Sequence, residues 1–136
     1  YEAAMIDLRD LHHNSRDGLH MASLAGAWIA LVAGFGGLRD FGGQLMFDPA
    51  LPEGITRLVF SIRWRGVRLR VDVDHAEVTY SLHEGDHGEV VFRHDGEEVV
   101  VTPETPMTLP LKPRVALLPT PTQPVGREPA QRHPHF

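Results

Sequence analysis

Leu58-Val59-Phe60-Ser61-Ile62-Arg63-Trp64-Arg65-Gly66-Val67-Arg68-Leu69-Arg70-Val71-Asp72-Val73-Asp74 is the stretch on which the fold turns. Leu58, Phe60, Ile62 and Trp64 alternate with polar or smaller neighbours, and Val67, Leu69, Val71 and Val73 do the same beyond Arg65-Gly66. Period two means strands with one buried and one wet face, and the short interruption at Arg65-Gly66 is a hairpin turn. Moving toward the C-terminus, Ala76, Val78, Tyr80 and Leu82 alternate with Glu77, Thr79, Ser81 and His83, which predicts a third strand. Val90-Val91-Phe92 and Val99-Val100-Val101 flank His94-Asp95-Gly96-Glu97, a second hairpin signal. Leu45-Met46-Phe47 and Met107-Thr108-Leu109 read as edge strands. Five to seven short antiparallel strands with regularly spaced turns predict a small antiparallel β-sandwich.

Toward the N-terminus the period changes to a helical one. Residues 18–38 carry no formal charge and include Leu19, Met21, Leu24, Trp28, Ile29, Leu31, Val32 and Phe35. Ala22, Gly26, Ala30 and Gly34 recur every fourth residue as a small-residue stripe, while Leu24, Trp28, Leu31 and Phe35 form a bulky one. The run has the length of a membrane span. Its five glycines, its histidine, its serine and the lack of an interfacial aromatic belt argue against that reading, so no membrane contact is expected. A helix that is apolar all round belongs inside a helical domain, and this chain offers no second helix of similar size to cover it. Upstream, residues 1–10 read as the last turns of another helix, and His12-His13-Asn14-Ser15-Arg16-Asp17-Gly18 as a polar joint with Ser15 or Asp17 as helix cap.

The 136 residues, 42% hydrophobic and 23% charged, suit one globular domain with an appendage. Nine of the eleven prolines follow residue 102, so residues 112–136 read as a Pro-rich flexible tail. The fold class expected is mixed α and β: an N-terminal helical segment, a β-sandwich, then the tail. The net charge of -5 disfavours bulk nucleic-acid binding. The absence of cysteine removes disulfides and thiolate metal sites, and mildly favours an intracellular, cytoplasmic setting.

Few residues point to chemistry. Arg63, Arg65, Arg68 and Arg70 could form a phosphate-binding stripe, but Asp72, Asp74 and Glu77 lie within cross-strand reach, and a solvated face of paired charges is the plainer reading. His12, His13 and His20 lack the spacing of a zinc motif, and no metal is expected. His83 and His87 bracket a polar loop and read as exposed turn. Gly34-Phe35-Gly36-Gly37 follows a helix instead of a strand, the wrong context for a dinucleotide loop, and reads as a helix terminator. His20 comes at the start of the long helix, where backbone N–H groups and the positive end of the dipole can hold an anion. Position alone leaves it open between a structural histidine and a ligand.

Residues 14–28, Asn14-Ser15-Arg16-Asp17-Gly18-Leu19-His20-Met21-Ala22-Ser23-Leu24-Ala25-Gly26-Ala27-Trp28, with Val32-Ala33-Gly34-Phe35-Gly36-Gly37-Leu38-Arg39, resemble the C-terminal part of glycoside hydrolase family 65. That family includes maltose, trehalose and kojibiose phosphorylases and some trehalose hydrolases. Leu45-Met46-Phe47-Asp48-Pro49, Leu51-Pro52, Leu58-Val59-Phe60 and Arg65-Gly66 resemble its passage into a C-terminal β-domain, and the likeness runs over residues 1–102.

The resemblance implies three parts: residues 1–40 as the last helices of an (α/α)6-barrel catalytic domain, 41–111 as a β-sandwich domain, and 112–136 as tail. Residues 18–34 would be the barrel's last inner helix. It further implies an enzyme that cleaves an α-linked glucose disaccharide of trehalose, maltose or kojibiose type with inversion, inorganic phosphate attacking the anomeric carbon as co-substrate and no cofactor. His20 and Gly18 match residues that hold phosphate, while Asp17, where many members carry Glu, would orient the loop. The general acid lies far upstream in the family, so no catalytic residue is expected in this chain, and alone it should be inactive. Partners implied are the disaccharide and phosphate of the full-length enzyme, which is expected as a homodimer. The alternative is a free-standing, non-catalytic β-sandwich that binds carbohydrate or a protein, its helix serving oligomerisation.

Overall fold

Strands begin where the glycines end the helical run. The computed structural model describes residues 2–83, 85, 87–113, 118, 119 and 126. Helix α1 (Glu2–Met5) leads through turns and a 3-10 turn at Ser15–Asp17 to helix α2 (Met21–Ile29), which widens into a π-helical turn over Ala30–Phe35. Eight strands follow: β1 (Arg39–Phe41), β2 (Gln44–Phe47), β3 (Leu58–Trp64), β4 (Val67–Val73), β5 (Glu77–Leu82), β6 (Val90–His94), β7 (Glu97–Val101) and β8 (Met107–Pro110).

They form two four-stranded sheets, β1-β2-β6-β7 and β3-β4-β5-β8, so the expected sandwich is present. All seven of the segments named above become strands, and β1 is an addition. The hairpins close as the turn chemistry requires: Arg65 and Gly66 take φ of 48° and 91°, Asp95 and Gly96 take 49° and 86°, the paired positive values of a two-residue turn that suits strand twist. Pro110 ends the edge strand β8, where the missing N–H costs no ladder bond.

Two corrections to the sequence reading arise here. The sandwich is not wholly antiparallel, because β2 pairs parallel to β6 through Met46↔Arg93 and Phe47↔His94. The whole of β3, β4 and β5 intervenes between these partners in sequence, a crossover long enough to permit a parallel pair. The second correction concerns the helix. It is not uniform from Gly18 to Gly34: regular α geometry starts at Met21 and gives way at Ala30 to the wider turn, where the Gly36 N–H reaches the Leu31 carbonyl at 2.8 Å. That last turn is tied to the sheet. Leu38 N–H donates to the Val32 carbonyl (3.1 Å) and Ala50 N–H to the Phe35 carbonyl (2.9 Å). The Arg39 guanidinium donates to the carbonyls of Ala33 and Leu38, placing positive charge at the negative end of the helix.

The core lies between the sheets, with Leu69, Val71, Val73, Val78, Tyr80 and Val101 fully buried. Phe47, Tyr80 and Phe92 bridge the layers, their ring centroids 4.6 to 5.3 Å apart in tilted or edge-on arrangements. One polar group enters this core. His94, expected in the turn, instead ends β6 with 7% exposure, and the hydroxyl of Tyr80 lies 2.9 Å from its Nδ1. Helix α2 is the opposite case. Trp28 and Ile29 are 49% and 55% exposed, and among the described residues of the helical run only Val32, of the apolar side chains, is buried. The tail expected over 112–136 lies mostly outside the described residues.

Candidate functional site

The turn that precedes α2 is built by carboxylates. Asp10 takes a left-handed φ of 47° and its Oδ1 accepts the Ser15 N–H at 3.0 Å, which folds the chain back toward α1. The 3-10 turn Ser15–Asp17 closes through the Asp17 N–H to the Asn14 carbonyl at 2.9 Å. Gly18 follows with φ 140° and ψ 160°, a region that is essentially restricted to glycine. A Cβ there would meet nothing within 4 Å, so the demand for glycine comes from the backbone and not from crowding.

This backbone delivers His20 to the N-cap of α2, where its carbonyl accepts the Leu24 N–H at 3.1 Å. The expectation that Ser15 or Asp17 caps the helix is corrected: the cap position belongs to His20, whose own side chain makes no capping bond. His20 is in turn gripped by Asp7. Asp7 Oδ2 accepts the His20 N–H at 2.8 Å, and Oδ1 lies 2.6 Å from the ring Nδ1. The two side chains differ in access: Asp7 is 5% exposed and His20 33%. The hydrogen bond from His20 holds the Asp7 carboxyl below the usual carboxylate range despite its desolvation, so Asp7 is an anion at neutral pH. An ionised carboxylate only accepts. Nδ1 therefore carries a proton whether the ring is neutral or cationic, and Nε2 is the nitrogen left for a ligand. The His12 ring stands 6.4 Å away, centroid to centroid.

Of the residues named from the sequence, Gly18 and His20 are thus adjacent at the start of α2. Asp17 lies beside them with an exposed carboxylate 3.7 Å from the Arg16 guanidinium, and the carboxylates that bond this loop are those of Asp7 and Asp10. Sequence reasoning did not single out Asp7. It lies thirteen residues before His20 in a short run between Ile6 and Leu8, and nothing in spacing alone tells a contact at that separation from a solvated helix residue.

The remaining candidates resolve differently. Asp72 binds Arg57 through two bonds of 2.7 and 2.6 Å and Arg70 at 3.3 Å, and these pull its carboxyl below the ordinary range. Among the described residues Asp74 forms no ion pair with an arginine: its Oδ1 accepts the N–H groups of Ala76 and Glu77 (2.7 and 2.9 Å) and shapes the β4–β5 turn. Arg65 donates to the Gly43 carbonyl at 3.0 Å and lies over the Trp64 ring. His83 and His87 are exposed, and no metal-binding cluster occurs among the described residues. Among those residues no helix is long and apolar enough to cross a membrane.

Comparisons with known proteins bear on the fold and the family. Residues 38–101 match the model of the glycosyl hydrolase family 65 C-terminal domain. An uncharacterised glycosyl hydrolase of Mycobacterium leprae is 61% identical over 97% of this chain, which spans 17% of that protein. An alpha,alpha-trehalose phosphorylase of Thermoanaerobacter brockii is 39% identical over 65% of the chain and 12% of its own length. A solved structure described as a kojibiose phosphorylase from the human microbiome shares the fold, with a TM-score of 0.71 and 24% identity over 85% of this chain and 16% of that one. A β-rich sandwich at the matched residues, joined to the glycine-ended helical run, agrees with the match, and the chain carries a glycosyl hydrolase family 65 C-terminal domain.

Proposed function

We propose that this chain is the C-terminal portion of a longer cytoplasmic enzyme that cleaves an α-linked glucose disaccharide with inversion, and that inorganic phosphate, the nucleophile, is held beside His20 and Gly18. Helix α2 and the wider turn that follows it then form the last inner helix of an (α/α)6 barrel, which accounts for an apolar α2 that leaves Met21, Trp28 and Ile29 exposed in this chain. The observation that carries the reading is the placement of His20: at a helix N-terminus, one third exposed, with Nδ1 engaged and Nε2 available. A phosphate dianion needs donors and positive potential, which the first turn of a helix supplies. An imidazolium would add a donor and a charge, and a neutral ring would accept from the single hydroxyl of HPO4 2-. The geometry thus serves nucleophile binding, while protonation of the leaving sugar oxygen requires a general acid from the upstream chain.

The test is product analysis of the full-length protein on trehalose, maltose and kojibiose, with and without phosphate. Phosphate-dependent release of β-glucose 1-phosphate is expected, since attack with inversion on an α-linkage yields the β-anomer. His20→Ala should raise the KM for phosphate by roughly tenfold or more, the loss expected for one charge-assisted contact, and leave the KM for disaccharide nearly unchanged. Phosphate-independent hydrolysis to free glucose would sink the phosphorolytic reading.

A further inference from the structure

Asp7 belongs to a different turn of the chain from His20, yet it touches His20 twice, once at the backbone N–H and once at Nδ1. The two contacts constrain different things. The backbone bond, 2.8 Å, sets where the N-cap residue lies relative to α1, and the ring bond, 2.6 Å, sets the orientation of the imidazole about its side-chain torsions. Asp7 is nearly buried while the His20 side chain keeps a third of its surface, and the carboxylate engages the ring at Nδ1. Ser15 completes the grip: its hydroxyl lies 3.5 Å from the Asp7 carbonyl, while its N–H is taken by Asp10. A carboxylate that orients a histidine and fixes its tautomer is a recurrent device wherever the second ring nitrogen must meet a ligand.

We infer that Asp7 is the positioning residue of the phosphate site: it holds the His20 ring with Nδ1 protonated so that Nε2 is presented to phosphate. The inference rests on the phosphate-binding role proposed for His20. It assigns Asp7 no contact with substrate, and it predicts that Asp7 acts only through His20.

Steady-state kinetics of the full-length enzyme, varying phosphate at saturating disaccharide and the reverse, tests this with Asp7→Asn, His20→Ala and the double variant. Asparagine is isosteric but cannot accept at both positions, so one of the two bonds is lost or the ring tautomer reverses. Asp7→Asn should raise the KM for phosphate about 10-fold, the lower end of the loss when a histidine's orienting carboxylate is removed, with disaccharide KM unchanged. The double variant should be no worse than His20→Ala alone. If the two effects multiply, or if Asp7→Asn leaves phosphate KM unchanged while His20→Ala raises it, Asp7 is not acting through His20, and the inference falls while the phosphate site stands. If His20→Ala leaves phosphate use untouched, both fall. Should Asp7→Asn fail to fold, 15N-histidine spectra of the unsubstituted full-length protein read the tautomer directly: a protonated Nδ1 at His20 is expected, and an unprotonated Nδ1 overturns the inference.

Discussion

His94 shows how burial changes the meaning of a single residue. In the sequence it stands next to Asp95-Gly96 and looks like part of a polar turn, but the register of β6 points it inward with Val90 and Phe92. Tyr80 stays neutral there, its ionisation pushed up by burial, and its hydroxyl shares a hydrogen bond with Nδ1 of His94. Burial lowers the pKa of His94 below its ordinary value near 6.5, with nearby Lys112 adding to the effect and Asp95 opposing it. Between the depressed native value and the unfolded one, the unfolded chain binds a proton that the native state refuses, so stability falls as pH drops below about 6.5. Thermal midpoints at pH 7.5 and 5.5 should show this loss, and His94→Gln, which keeps an acceptor for Tyr80, should flatten it. Asp72 cannot be the source, because a carboxylate pulled below 3.8 by Arg57 gives up its contribution only at lower pH.

At the scale of elements, the glycines of the helical run divide by what surrounds them. Gly37 has φ 65°, and a Cβ would collide with the backbone of Asp48; at Gly36 it would come within 2.7 Å of the Phe60 ring. These two let the end of the helix press against the sandwich. Gly26, in the middle of α2, meets nothing within 4 Å, nor does Gly34 in the wider turn. A bare mid-helix glycine is a liability of about 0.5–1 kcal/mol relative to alanine. Gly26→Ala should therefore stabilise α2 by that amount in the 136-residue chain. In the full-length protein the same substitution should destabilise, because the small-residue stripe would there meet a packed helix. Paired melts of both lengths decide the matter, and stabilisation in both would count against a helix docked on that stripe.

For the whole molecule, the contrast is between a core that is closed and a helix that is not. The sandwich buries Phe47, Tyr80 and Phe92 between its sheets, while α2 leaves Met21, Trp28 and Ile29 in water. Contiguous apolar surface of this kind is seldom left bare on a monomer. The 136-residue chain alone should self-associate, with light scattering rising with concentration and falling in Trp28→Glu. A monodisperse monomer at high concentration would mean that the helix is adequately solvated and needs no cover.

Sandwich, strand pairs and hairpin turns were legible in the sequence because each depends on local rules: period two decides which face is buried, and Arg65-Gly66 and Asp95-Gly96 supply the positive φ that a tight turn requires. The family was legible too, through residues 14–39, as was the placement of Gly18 beside His20 at a helix start. Three features were decided only by tertiary structure. The parallel pairing of β2 with β6 joins segments on either side of three strands of the other sheet, the burial of His94 follows from register against that pairing, and the π-helical turn follows from docking onto Phe60 and Ala50. Asp7 belongs with them. Its type and position mark nothing by themselves, because a hydrogen bond thirteen residues away depends on how two turns fold back, and that is set by the summed geometry of Asp10, Ser15 and Gly18 and not by any period in the chain.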